Sequence, residues 1–132
     1  MKQKAYGRLL YVLAIVGTLA GAVIAFGDAI TGDMARLVDP TLPSGERLAF
    51  LGIELLAPAY LSYVAWTHSG VVRRSAVVLA IAFVVALSGN AFAAIWPAVQ
   101  RPISIGEGFG YVALFAYTWL RVRPLVGSTV DS

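Results

Sequence analysis

Two carboxylates stand inside apolar stretches of this chain: Glu54 in LAFLGIELLAPAY and Glu107 in ISIGEGFGYVAL. An ionisable side chain in such surroundings is costly and by default marks function. Two carboxyl groups held in different environments can divide the work of acid and base. On a lipophilic substrate that chemistry would be an isomerisation, a cyclisation, an epoxide opening or a hydrolysis. Polar residues that could join them as ligand-binding groups are Asn90, Ser88, Tyr111 and Arg47. Tyr111 follows Glu107 by four residues, so both fall on one helix face. Arg47 precedes Glu54 by seven residues and is the cation available to pair with it.

Four long apolar runs must position these groups, over residues 6–27, 48–67, 75–96 and 103–122. A bilayer's hydrocarbon core takes roughly 20 apolar residues of helix to cross, and each run has about that length. The composition agrees: of 132 residues 59% are hydrophobic and 13% charged, against about a quarter charged in soluble domains. The expected fold is all-α, an integral membrane antiparallel four-helix bundle forming a single domain over residues 1–132. The first run has a basic start and a small-residue end, Ala25-Phe26-Gly27, like a signal peptide. Its apolar stretch exceeds the usual 7–15 residues, so retention as a span is expected.

Charge sorts with the spans. Lys2, Lys4, Arg8, Arg73, Arg74, Arg121 and Arg123 fall on one side. Asp28, Asp33, Asp39 and Glu46 fall on the other, together with Arg36, Arg47 and Arg101. Basic loops stay cytoplasmic, which puts both termini inside the cell membrane and the loop of residues 28–47 outside. The net charge of +3 is then explained by topology, and no nucleic-acid partner is expected.

At about 1.5 Å per residue Glu54 lies about 9 Å inside the outer edge. Asn90, on the antiparallel third helix, falls at a similar depth. With Pro102 as the first residue of the fourth helix, a favoured place for proline, Glu107 lies about one turn inside. Glu54, Asn90, Glu107 and Tyr111 are therefore expected to converge in the outer half, with Pro58 kinking the second helix beside them. Three roles stay open. The cluster could fix helix register, form a catalytic or lipophilic-ligand pocket, or belong to a proton path. A full path needs polar residues through the inner half, where only Thr18 and Ser62 are found, so a transporter would have to oligomerise.

Lipid drives helix association weakly, so small residues and polar contacts must do it. Gly17, Gly21 and Ala25 form one such stripe, and Ala82, Ala86, Asn90 and Ala94 another. They are expected to pack helices within the chain or against a second copy. No cofactor and no metal are expected. There is no cysteine, and the lone His68, at the cytoplasmic end, reads as a solvated loop residue. The Gly106, Gly108, Gly110 alternation lacks the GxGxxG spacing of a phosphate loop and reads as a flexible or closely packed helix start. The acidic loop lacks EF-hand spacing.

The layout resembles small four-span bacterial membrane proteins of the DoxX-like kind. The shared features are an Asp39-Pro40 loop, Glu46-Arg47 opening the second span, an Arg73-Arg74 hairpin and Gly89-Asn90 in the third span. The resemblance implies a membrane location and, as in some DoxX-like proteins, association with a larger redox complex. It transfers no functional residue. The leading functional expectation is a non-catalytic accessory subunit or a binder of a lipophilic small molecule. The alternatives are a membrane enzyme using Glu54 and Glu107, and an oligomeric transporter. Expected partners are membrane lipid, a larger membrane complex or further copies of the chain.

Overall fold

The computed structural model describes residues 2–31, 44–95, 98 and 100–126. They form α1 (Lys2–Thr31), α2 (Ser44–Thr67), α3 (Gly70–Ile95) and α4 (Gln100–Tyr117), the last continued by a π-helical turn, Thr118–Val122, and a final turn α5, Arg123–Val126. Among the described residues there is no strand. The chain is all helical, and its helices cover the four apolar runs. Over Ala5–Gly27 and Gly70–Gly89, α1 and α3 are long and apolar enough to cross a membrane, with mean hydropathy 2.4 and 2.1.

Three close approaches fix the helix directions. Gly7 in α1 lies against Val71 and Val72 at the start of α3, so these two helices run the same way. Gly108 in α4 faces the Phe26 ring near the end of α1, so α4 runs opposite to both. The α2–α3 hairpin is tight: only His68 and Ser69 separate the helices, and Gly70 adopts φ 64. That left-handed conformation costs other L-residues a clash between Cβ and the carbonyl. The result is an up-down-up-down arrangement in which α3 contacts all three other helices, α1 packs on α3 and α4, and α2 lies along α3. Arg8, Arg73, Arg74, Arg121 and Arg123 thereby gather at one end, all of them exposed.

Small residues sit inside and bulky ones outside. The inward face of α1 is Gly7, Leu10, Ala14, Thr18, Ala22 and Ala25, all buried. Its outward face carries Leu9, Val12, Leu13, Val16, Leu19, Val23 and Ile24, all exposed. Bulky residues do enter the interior near the basic end, where Leu10, Leu61, Val64, Val72, Val78 and Leu79 form the main core. Two buried threonines bond back along the helix: Thr18 Oγ1 donates to the Ala14 carbonyl at 2.7 Å and Thr118 Oγ1 to the Leu114 carbonyl at 2.7 Å.

Two prolines leave visible effects. Pro58 stands inside α2, so the Glu54 carbonyl loses its usual helical donor, and Ser62 Oγ bonds back to the Pro58 carbonyl at 2.7 Å. Pro124 comes directly after the π turn. Its ring crowds the Leu120 carbonyl and it has no N–H to offer. The helix widens just ahead of it, and the Arg123 N–H reaches the Thr118 carbonyl, five residues back.

Candidate functional site

The outer-half cluster is partly assembled. Ser104, Gly108, Tyr111, Thr118 and Val122 make the buried face of α4, at the three- and four-residue spacing of one helix side. Tyr111 points between α1 and α3. Its ring lies across Gly21, and its hydroxyl donates to the Ala82 carbonyl at 3.3 Å. Glu107, one turn earlier, is half-buried, with Oε1 shielded from solvent. Its carboxylate rests against Gly89 of α3, where a methyl group would overlap it. The α4 helix begins at Gln100, so Pro102 is its third residue, where sequence had placed it first. Glu107 consequently lies about 10 Å along the helix at ~1.5 Å per residue, deeper than one turn.

Of the other candidates, Ser88 is exposed. Gly89, adjacent to Asn90, brings that part of α3 level with Glu107. The side chains of Arg47, Glu54 and Asn90 lie outside the described residues, as do all residues of 32–43. Among the described residues α2 packs along α3 and meets the start of α1 through Tyr60, with no packing against α4.

Beside Tyr111 is a cleft of about 180 Å³, lined by Gly17, Leu79, Ala82, Phe83, Ala86 and Tyr111. Both small-residue stripes read from the sequence meet here, inside the chain. Among the described residues no carboxylate lines the cleft.

A larger space lies toward the basic end. An open groove of about 500 Å³ runs between α2 and α3. Ala65 and Ala80 form its half-buried floor, and Val77, Ile81 and Val84 form one wall. Trp66, 84% exposed, and Arg73 stand at its mouth. Arg73 Nε donates to the Ala65 carbonyl at 2.8 Å, which holds the guanidinium across the hairpin. From the sequence, Arg73 and Arg74 could meet anionic lipid, but two charges fall short of the usual polybasic site of about four or more, and positive-inside anchoring accounts for them. The available clue was Trp66, seven residues before Arg73 across a tight turn.

His68 also differs from expectation. It is half-buried, and its ring lies 6.0 Å from that of Tyr6. Nδ1 is 3.0 Å from the Val64 carbonyl. It is also 2.9 Å from the Thr67 hydroxyl, and in the tautomer with the proton on Nδ1 it donates to the carbonyl. Tyr6 in turn meets Tyr60, hydroxyl to hydroxyl at 3.3 Å. The histidine closes the hairpin end of the bundle, tying α2 to the start of α1. No protein-family model, curated protein or solved structure matches the chain.

Proposed function

We propose that this chain is a four-span membrane protein that works by binding a lipophilic molecule and not by catalysis. Both termini would be cytoplasmic. The observation that carries the reading is the groove between α2 and α3. Its volume of about 500 Å³ falls within the roughly 300–1,000 Å³ of small-molecule sites, and the 180 Å³ cleft beside Tyr111 falls below it. The groove is mostly apolar, with Ser62 and Arg73 as its polar lining, it is open at the side, and Glu107 does not line it.

The membrane setting rests on the outward aliphatic face of α1. In water a continuous strip of exposed Leu, Val and Ile from Leu9 to Ile24 would be an aggregation surface. In lipid it is the solvated face, and the small inward residues let helices approach closely. The clustering of exposed arginines at one end supports the orientation. The layout likeness to DoxX-like proteins fits the same setting.

Location is tested by cysteine labelling, since the chain has no cysteine of its own. An impermeant maleimide on intact cells is expected to label Asp33→Cys and spare Ser128→Cys; the reverse pattern would invert the topology. Function is tested by native mass spectrometry from nanodiscs. A monomer carrying a co-purified lipophilic molecule is expected. A ligand-free chain held in a larger protein assembly would instead establish an accessory subunit.

A further inference from the structure

Extending the proposed lipophilic-ligand reading, on which this step rests, we infer that the α2–α3 groove holds one acyl chain of an anionic phospholipid, with Arg73 taking the headgroup phosphate. The groove's length supports a lipid. From Arg73 to Val84 the α3 helix rises roughly 16 Å, about half of a ~30 Å hydrocarbon core. The groove therefore has the depth of one leaflet, with its charge at one end and its aliphatic wall beyond. A free phosphate would use only the mouth, and a neutral hydrophobe would leave Arg73 unanswered.

The mouth fits a headgroup. Arg73 is exposed and spends Nε on the Ala65 carbonyl. The described bond fixes the guanidinium and leaves its terminal N–H donors for an outside acceptor. A guanidinium matches phosphate oxygens through paired hydrogen bonds. Trp66 beside it is amphipathic and suited to the headgroup level. The floor explains the selectivity for a chain: Ala65 and Ala80 leave room that larger residues would fill. Arg74 is the neighbouring residue and also exposed, but does not line the groove. It carries the same charge at the same height, so it separates a site from general surface attraction.

The test uses the full chain in nanodiscs of phosphatidylcholine with a minor fraction of phosphatidylglycerol. Lipid retained on the protein is counted by native mass spectrometry. Phosphatidylglycerol is expected to be enriched on the wild type. Arg73→Gln should weaken that enrichment at least about tenfold, the loss of a charge-assisted hydrogen bond, and Arg74→Gln should weaken it no more than about fivefold, the general attraction of one basic side chain for an anionic surface. Ala80→Leu, which fills the floor without touching charge, should also reduce retention; it keeps the test decisive should Arg73→Gln fail to fold. Equal losses in the two arginine variants would overturn the site in favour of general electrostatics. Retention of phosphatidylcholine, or of another neutral lipophile, at the groove would overturn the anionic assignment while leaving the binding function standing. A dimer disrupted by Ala80→Leu with no retained lipid would overturn both, showing that a second copy covers the groove.

Discussion

Gly21→Ala should destabilise the protein, and Gly17→Ala, one turn earlier in the same stripe, should not. A methyl at Gly21 would lie 2.9 Å from two carbons of the Tyr111 ring and 3.0 Å from a third. At Gly17 the nearest atom is a Leu79 methyl at 3.8 Å, an ordinary contact. Both substitutions gain the same helix propensity, about 1 kcal/mol in water. That term cancels in the difference between them, whatever its size in lipid. What remains is overpacking, about 1–3 kcal/mol for a methyl forced into a filled interior. The 180 Å³ cleft that Tyr111 lines gives the ring room to retreat, and a shift that strains its 3.3 Å bond to the Ala82 carbonyl would cost up to about 1 kcal/mol. Gly21→Ala is therefore expected to be about 2 kcal/mol less stable than Gly17→Ala.

The assay is reversible denaturant unfolding in mixed micelles, followed by circular dichroism. Tyr111→Leu provides the second arm of a double-mutant cycle. With the ring gone, Gly21→Ala should recover most of its loss, giving a coupling of about 1–2 kcal/mol. Equal stability of the two alanine variants would refute the packing derived for Tyr111. So would a Gly21→Ala protein that keeps its monomer stability but loses an oligomer, since the stripe would then be an intermolecular surface.

Three further outcomes follow from the same contacts. Gly108→Ala places a methyl 2.7 Å from the Phe26 ring and should cost about 1–3 kcal/mol, whereas Gly106→Ala, with nothing within 4 Å, should be neutral or stabilising in the same unfolding assay. Gly70→Ala, at φ 64, should lose about 1–2 kcal/mol and lower the melting temperature. Arg123 lies 4.0 Å over the Trp119 ring, so Arg123→Gln should cost about 0.5–1 kcal/mol and alter Trp fluorescence, an effect absent in a Trp119→Phe background.

Length and apolarity made the helices legible, because a run of about 20 apolar residues has few other ways to satisfy its backbone. Charge made one end legible too: Arg8, Arg73, Arg74, Arg121 and Arg123 come together as their order along antiparallel helices requires. Which faces meet was harder to read. These helices are apolar nearly all round, so the periodic contrast that marks the buried face of an amphipathic helix is missing. Small residues were the remaining signal: Gly21, Ala82 and Ala86 are half-buried, while Gly17 is exposed where it lines the cleft. Glu107 against Gly89 depends on a fit between a side chain and the space a glycine leaves, which spacing along one helix cannot show. The groove depends on Ala65 and Ala80 facing each other across a hairpin, and the π turn on how the helix accommodates Pro124.

The two polar regions of the bundle differ in kind, and the difference bears on what each can do. Near Glu107 the helices are close: Gly89, Gly21 and Gly108 each accept a side chain that a methyl would displace. A carboxylate so enclosed is positioned by the fit of α3 to α4, and moving it moves the helices. At Arg73 nothing need move. The guanidinium is already held by the Ala65 carbonyl at 2.8 Å, and the groove beside it is open. Preorganisation of that sort lowers the cost of taking up a ligand. The acid end is therefore suited to holding α3 against α4, and the basic end to meeting something from outside.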